Sequence, residues 1–274
     1  QQMRYEKKRM LAAHLILSPW LVGAFLRRGG FARTCSKINP DVPHGGLPLT
    51  SKLERHGHGE RFVPTERVQT GERTRLNAPY VIKPEYGRAS RDVTQADELP
   101  DSPDEPLVVQ EYRDGIEYAI NIDTTQDESV YRVIEIHPEG DLWTGDATYV
   151  DRTDAVTEEL QRACVNACRE VDLCFGRLDV KADSLQALLK GDFAIIEVNG
   201  ALSVDLKCYE TESFKDTITA IRSHWQRFFN AADTSKAQSP KDTPVLSYFV
   251  WLLLQPVRAA SHLDEMQSTP ESQA

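Results

Sequence analysis

The sequence lacks the short motifs by which many nucleotide-binding and hydrolytic enzymes are identified. It contains no GxxxxGK[ST] loop, no GxGxxG fingerprint, no protein-kinase HRD set and no GxSxG nucleophile elbow. Cysteine is scarce, with five residues in 274, and no two of them form a CxxC pair. This odd number without that spacing predicts free thiols in a reducing compartment. Cys164 and Cys168, one helical turn apart, are better interpreted as buried helix thiols than as zinc ligands.

Basic residues are outnumbered in most of the chain, and the formal net charge at pH 7 is -10. Residues 1–91 carry 17 Lys and Arg against 7 Asp and Glu, whereas residues 92–274 carry 15 against 35. A basic beginning and an acidic remainder indicate that the two parts meet different partners, and we expect no nucleic acid among them. Hydrophobic residues make up 40% of the chain, which is typical of a soluble globular protein.

No apolar run exceeds the length that a bilayer span requires. Residues 10–26 contain Pro19 and form a run of 17 residues, at the lower limit of a span. Basic residues on both sides of this run fit a segment lying in a membrane interface better than one crossing it. An equally weighted alternative is a helix packed on the protein's own core or a subunit contact. A second apolar run, residues 245–254, is too short to span as a helix.

The ends of the chain carry little further signal. The sequence begins with QQM, which is typical of a fragment or a trimmed terminus, and a signal peptide is not evident. Residues from Met266 onward are polar and predict a disordered tail.

Helix and strand patterns alternate without a regular βαβ rhythm, which favours the α+β class. Helical spacing of apolar residues predicts helices over residues 156–174 and 213–229. Strands are predicted at residues 61–64, 78–84, 107–122, 131–137, 176–182 and 193–200. The stretch 107–122 holds two of these strands, which meet at the turn Asp114-Gly115.

The stretch GDFAIIEVNG places a carboxylate and an amide near the end of a buried strand. Glu197 and Asn199 are two residues apart and therefore share one face of that strand. Asp179 lies on the preceding strand, and a hairpin of the two strands would bring it close to Glu197. Two carboxylates and an amide oxygen suit Mg²⁺ held between protein and phosphates. The alternative is a pair of acids that hydrogen-bond at a sheet edge.

Two further stretches carry groups suited to a nucleotide. Lys83 ends the strand YVIKP and precedes a loop containing Gly87, an arrangement that suits a phosphate clamp. The alternative is a surface lysine before a turn. Gln110 and Glu111 lie where a strand leaves the core, so their backbone groups would read an adenine edge. Glu117 would then bind ribose hydroxyls.

Taken in chain order, the motifs VIKP, VVQEYRDGIEY, GRLDV and IIEVNG resemble the ATP-grasp superfamily over roughly residues 75–229. More narrowly, the chain resembles a branch labelled D-alanine–D-alanine ligase-like. That branch shares an NP…GG…SK segment, here within residues 39–52, together with FGR.D, E.NG and a late HW, here His224-Trp225.

The resemblance implies an α+β ATP-grasp fold in which two subdomains enclose ATP, with short apolar segments at both termini. The domain boundaries expected are 1–40 for a basic and apolar segment, 41–229 for the ATP-grasp domain and 230–274 for a linker, apolar run and polar tail. The cofactors implied are ATP and Mg²⁺. The implied site consists of Asp179, Glu197 and Asn199 on the metal, Lys83 and Lys52 on phosphate, Gln110, Glu111 and Arg113 at adenine, Glu117 on ribose, and Arg177 at the transferring phosphoryl group.

The activity that the resemblance implies is ligation of a small carboxylate to an amine or thiol through an acyl phosphate, in the cytoplasm or at the inner membrane surface. Such a site works by positioning and charge neutralisation and needs no protein nucleophile. Two departures from the D-alanine–D-alanine ligase pattern argue against D-alanine as the substrate: residues 200–203 read GALS instead of a Thr/Pro-Gly-rich segment, and only about 40 residues precede the domain. These departures and the two apolar runs favour an alternative, an ATP-binding membrane-associated scaffold or regulator without turnover. The oligomeric state stays open.

Overall fold

The structure is a computed structural model that describes most of the chain. It covers residues 2–42, 51–53, 56–68, 74–85, 93–99, 107–138, 147–203, 205–211 and 213–235. The loop containing Gly87, the pair Gly45-Gly46 and the apolar run 245–254 lie outside the described residues.

Two antiparallel sheets form the centre of the molecule. The smaller has the strand order β1-β4-β2-β3 and the larger has the order β7-β6-β5-β8-β9. The smaller sheet consists of β1 (Thr65–Val68), β2 (Tyr80–Pro84), β3 (Thr94–Ala96) and β4 (Leu107–Glu111). The larger sheet consists of β5 (Ile116–Asp123), β6 (Val130–Pro138), β7 (Ala147–Asp151), β8 (Phe175–Ala182) and β9 (Ala194–Asn199).

Six α-helices and a short 3-10 helix (Thr153–Ala155) accompany the sheets within the described part of the chain, and this mixture confirms the predicted α+β class. The α-helices are α1 (Gln2–Arg27), α2 (Phe31–Ile38), α3 (Glu158–Glu170), α4 (Leu185–Leu189), α5 (Lys207–Glu210) and α6 (Phe214–Thr234). One face of the larger sheet packs on α3, because the apolar stripe of α3 matches the alternating inward residues of β5 and β8. Cys164 and Cys168 lie buried in that interface, as predicted.

The helix boundaries differ from the predicted ones by a few residues. The segment 156–174 is helical only as α3, because Thr157 caps the first turn by accepting a hydrogen bond from the backbone N–H of Leu160. The second predicted helix continues beyond residue 229 to Thr234. Its continuation buries Ala231 and Ala232 against the N-terminal helices, which the sequence pattern of one helix does not show.

Two strand predictions differ from the structure in how the chain pairs. The stretch 61–64 forms only an isolated parallel bridge between Phe62 and Ile195, and the strand β1 begins afterwards at Thr65. The turn Asp114-Gly115 does join β4 and β5, but the two strands lie in different sheets and do not form a hairpin. This connection carries the chain from the smaller sheet into the larger one.

The apolar segment 10–26 lies within α1, which continues through Pro19. One face of α1 packs on α6, where Phe25 contacts Phe228 and Phe229 with ring centroids 5.8 and 5.0 Å apart. Helix packing on the protein's own core therefore describes one face of the segment. Leu15 and other side chains on the opposite face are exposed.

Candidate functional site

Strands β8 and β9 are antiparallel neighbours, as the approach of Asp179 to Glu197 required, although helix α4 lies between them in the chain. Asp179 lies opposite Glu197, and Arg177 lies opposite Asn199. Gly176 permits this approach, because a Cβ atom there would stand 2.2 Å from the backbone oxygen of Asn199. The glycine before Arg177 is therefore required by the close contact of the two strands.

Asp179 is the centre of a hydrogen-bond network on one face of the larger sheet. Arg177 donates from Nε to Asp179 Oδ1 at 2.6 Å and from Nη2 to Oδ2 at 2.9 Å. Asn199 Nδ2 also donates to Oδ2, at 2.8 Å. An ionised carboxylate has about four acceptor positions, so these three donors leave one position on Oδ1. The network therefore orients Asp179 and leaves room for one further ligand.

The charges around Asp179 are largely buried and include both carboxylates and cations. Burial raises the pKa of the Asp179 carboxyl, Arg177 opposes the rise, and Glu197 adds to it. Burial likewise raises the pKa of Glu117, with a further rise caused by Asp179. Burial alone lowers the pKa of Arg177, but the nearby carboxylates, led by Asp179, raise it overall. Lys181 and Lys83 lower the pKa of Glu117, and Lys83 also lowers that of Asp179, so the three acids lie among three cationic side chains.

Lys83 reaches the same region from the smaller sheet. Its Nζ atom donates to Gln110 Oε1 at 2.9 Å and approaches the backbone oxygen of Ile196 at 3.4 Å. Gln110 Nε2 donates to the same Ile196 oxygen at 3.0 Å and to Thr65 Oγ1 at 2.9 Å. Both side chains are buried, with 7% of Lys83 and 2% of Gln110 exposed. The smaller sheet therefore contacts β9 directly through these two polar side chains.

A β-bulge makes the carbonyl of Ile196 available to the other sheet. The register shifts between Asp179 and Val180, so that Val180 pairs with Ile195 and Ile196 has no partner in the β8–β9 ladder. The carbonyl that the ladder leaves unpaired accepts hydrogen bonds from Lys83 and Gln110 instead. The bulge thus brings Lys83 next to the strand that carries Glu197 and Asn199.

Lys181 is a further residue of this face that the sequence analysis did not identify. Its Nζ atom donates to the backbone oxygen of Gly115 at 3.1 Å and lies 3.9 Å from Glu117 Oε2. It follows Arg177 and Asp179 at intervals of two residues, so the alternation of a strand already assigns it to their face. That signal was available in the stretch GRLDVKA.

The other sequence-predicted residues lie at the edges of this region. Glu111 Oε1 accepts hydrogen bonds from Asn77, at 3.0 Å from its backbone N–H and at 2.9 Å from Nδ2. Arg113 is half-exposed and lies 3.7 Å from Asp183. The backbone N–H of Lys52 donates to the carbonyl of Glu85 at 3.2 Å, next to the end of β2. The structure thus joins Lys83, Gln110, Glu117, Arg177, Asp179, Glu197 and Asn199, with Lys52, Glu111 and Arg113 around them.

The donor set at β8 and β9 is one of oxygen atoms. Among the described residues, no group of three His, Cys, Asp or Glu side chains could hold a metal ion. The candidate set at this site instead combines two carboxylates, Asp179 and Glu197, with the amide oxygen of Asn199. Such hard oxygen donors fit Mg²⁺, which keeps water and phosphate oxygens as its remaining ligands.

A separate cavity of about 540 Å³ lies on the other side of β9. Its lining includes Val198 and Gly200, whereas Glu197 and Asn199 face away from it. His58, Glu170 and other polar side chains complete its wall. None of the sequence-predicted site residues lines this cavity.

No family model and no curated protein matches the chain. Solved structures similar to it include the D-alanine–D-alanine ligase from Bacillus anthracis complexed with ATP, at 13% identity and a TM-score of 0.44, covering 71% of this chain and 67% of that one. The L-amino acid ligase from Bacillus licheniformis has 15% identity and a TM-score of 0.44, and the chain spans less than half of it, with coverages of 67% and 48%. The ATP-grasp ligase PsnB complexed with minimal precursor, Mg and ADP has 16% identity and a TM-score of 0.39, with coverages of 81% and 72%.

Proposed function

We propose that the chain binds MgATP between its two sheets as an ATP-grasp protein and acts as an ATP-dependent ligase. The observation that carries the proposal is the convergence of two halves of one site. Asp179, Glu197 and Asn199 lie on the larger sheet, and Lys83 comes from the smaller sheet to the neighbouring carbonyl of Ile196. A nucleotide with three phosphates needs both halves, because its charge must be neutralised from the metal side and the lysine side together.

The residues of the larger sheet hold the metal side. Asp179, Glu197 and Asn199 would ligate Mg²⁺, and the ion would neutralise charge on the phosphates when bound. Arg177 keeps Asp179 in one orientation through its two hydrogen bonds. Its guanidinium also stabilises negative charge on the phosphoryl group during transfer.

The residues of the smaller sheet and the β4–β5 connection hold the rest of the nucleotide. Lys83 supplies a positive charge to the phosphates, and Lys52 supports it from the neighbouring segment. The β4 end, with Gln110, Glu111 and Arg113, lines the adenine. Glu117 binds ribose hydroxyls, and its buried position next to Lys181 fixes its orientation. These assignments follow the order of the motifs along the chain.

The reaction needs no nucleophile from the protein. A substrate carboxylate attacks the γ-phosphorus of ATP, the bond to the β-phosphate oxygen breaks, and ADP leaves. A substrate amine or thiol then attacks the acyl carbon and displaces inorganic phosphate, and its proton goes to solvent. The protein contributes position, charge and exclusion of water, which are the terms that this set of lysines, arginine and acids supplies. We place the reaction in the cytoplasm, with small carboxylates and amines as substrates.

The test is release of ADP from ATP in the presence of pooled small carboxylates and amines. We expect release with at least one pool that depends on Mg²⁺, and a fall of about 100-fold in Glu197→Gln. Glu128→Gln is the matched control, since it makes the same change on an exposed turn away from the site. Full turnover in Glu197→Gln would remove the proposed site. MgATP binding without turnover in any pool would favour the ATP-binding scaffold over the ligase.

A further inference from the structure

Helix α1 presents an apolar surface that nothing in the described part of the chain covers. Of the six exposed large apolar side chains there, five lie on α1 and the sixth is Phe214. We call these five the α1 stripe: Leu11, Leu15, Ile16, Val22 and Leu26, with exposed fractions of 60, 65, 59, 56 and 70%. The stripe extends about 22 Å along the helix at 1.5 Å per residue, and four of its members fall within about 60° of the helix circumference. Monomeric soluble proteins rarely expose so continuous an apolar surface.

The opposite face of α1 is committed to the protein's own core. Ala13, Leu17 and Ala24 are buried there against the C-terminal helices. Two hydrogen bonds also hold α1 in place: Arg9 bonds Thr211, and Arg28, just beyond the helix, donates to Asp233 at 2.9 Å. The stretch Arg9–Arg27 is long and apolar enough to cross a membrane, with a mean hydropathy of 1.5. A helix that crossed the membrane would lose the contacts between its buried face and α6. Contact along the membrane surface is therefore the geometry compatible with this packing.

The charges near the stripe indicate which kind of partner covers it. Arg27 is exposed at the C-terminal end of α1. Residues 1–40 as a whole carry eight Lys and Arg against one acid. A second copy packed stripe to stripe would bring two such basic segments together, whereas an anionic surface would attract them.

We propose that the α1 stripe docks on the surface of a bilayer that contains anionic lipid. The five apolar side chains insert below the headgroups, and basic residues of this segment such as the exposed Arg27 contact anionic headgroups. The helix lies in the plane of the interface, with α6 and the rest of the protein on the water side. This inference is independent of the proposed ligase activity, because it uses no residue of the nucleotide site.

The experiment is co-sedimentation of the full chain with phosphatidylcholine vesicles, with and without phosphatidylglycerol. We expect binding that requires phosphatidylglycerol and falls as salt rises. The double variant Leu15→Glu with Leu26→Glu should bind at least tenfold less, because it places two charges in the stripe. Arg27→Gln should also bind about fivefold less, because Arg27 is exposed and each surface cation contributes about fivefold. Gln95→Glu is the control; it adds one charge to exposed β3 and should bind as the wild type does.

Three results would overturn the proposal. The first is absence of binding to phosphatidylglycerol vesicles at low salt. The second is binding that the Leu15 and Leu26 variant retains, which would assign the contact to another part of the chain, such as residues 245–254. The third is a combination of two observations: the wild type does not bind vesicles, and it forms a concentration-dependent dimer in sedimentation velocity that the Leu15 and Leu26 variant does not form. A second copy of the chain would then be the partner. Circular dichroism of each variant establishes that it is folded.

Discussion

Gln110 shows how a single residue can have a different role from the one its motif indicates. Its position where a strand leaves the core predicted a role at the adenine edge. The structure buries its side chain between Lys83, Thr65 and the carbonyl of Ile196. Its side-chain amide therefore orients the lysine and joins the two sheets, whatever its backbone contributes to adenine.

Replacing this amide should weaken both stability and nucleotide binding. Gln110→Leu removes the closest acceptor of the buried Lys83 ammonium and a donor to Ile196, so we expect a loss of about 2 to 3 kcal/mol in the free energy of unfolding. ATP affinity should fall about tenfold, because Lys83 is no longer held in one position. Urea denaturation and calorimetric titration with ATP measure the two effects. Gln95→Leu on exposed β3 is the control, and equal behaviour of the two variants would contradict this role.

The metal-suited residues were the most predictable part of the site. Strand alternation and antiparallel pairing of the two strands are enough to bring Asp179 to Glu197, and the structure has that pairing. The same alternation assigns Lys181 to their face. The environment of Lys83 could not be predicted, since it depends on a β-bulge that exposes the Ile196 carbonyl and on a contact between sheets. Local patterns carry no information about either.

At the scale of elements, helix α6 joins the N-terminal helices to the larger sheet. Its apolar period predicted a helix, and the interpretation of His224-Trp225 as packing agrees with the structure: Trp225 contacts Phe25 and Phe228 with ring centroids 5.7 and 5.2 Å apart. His224 is also buried, and its Nδ1 atom lies 3.1 Å from Tyr131 Oη on β6. A polar ring therefore occupies the interface between α6 and the sheet.

The burial of His224 should make the packing of α6 sensitive to pH. Burial lowers the pKa of His224 from 6.5 to about 4. Below pH 6.5 His224 binds a proton in the unfolded chain but not in the folded protein, so the free energy of unfolding decreases as pH falls. This loss is complete below pH 4. Between pH 7 and pH 5 the contribution is about 2 kcal/mol. Urea denaturation should show the wild type losing that much more than His224→Gln, and parallel losses would contradict the assignment.

The contacts of Asn39 are a feature of the fold that the sequence does not predict. Asn39-Pro40 was noted only as part of the family resemblance. In the structure the Asn39 side chain accepts hydrogen bonds from the backbone N–H groups of Cys174 and Phe175, at 2.8 and 2.9 Å, and donates to the Phe175 oxygen at 2.8 Å. It thereby ties the end of α2 to the start of β8. The partner lies about 135 residues away in sequence, and no local pattern identifies it.

At the scale of the whole molecule, the decisive feature is that β4 and β5 belong to different sheets. The turn Asp114-Gly115 is a strong hairpin signal, and the sequence alone gives no reason to separate the two strands. Because they are separate, one short connection links the sheet that carries Lys83 to the sheet that carries Asp179, Glu197 and Asn199. The α+β class followed from the mixture of patterns, whereas the division into two facing sheets depends on long-range pairing of β4 with β1 and β2.

The most direct test of the central claim, a nucleotide and metal site shared by the two sheets, is the melting temperature measured with ATP alone, Mg²⁺ alone and both. The wild type should be stabilised strongly only by both, by about 2.7 kcal/mol when ATP is at 100 times its Kd. Glu197→Gln should lose this stabilisation and Glu128→Gln should keep it. A wild type that MgATP does not stabilise, or a Glu197→Gln variant stabilised as fully as the wild type, would contradict the claim.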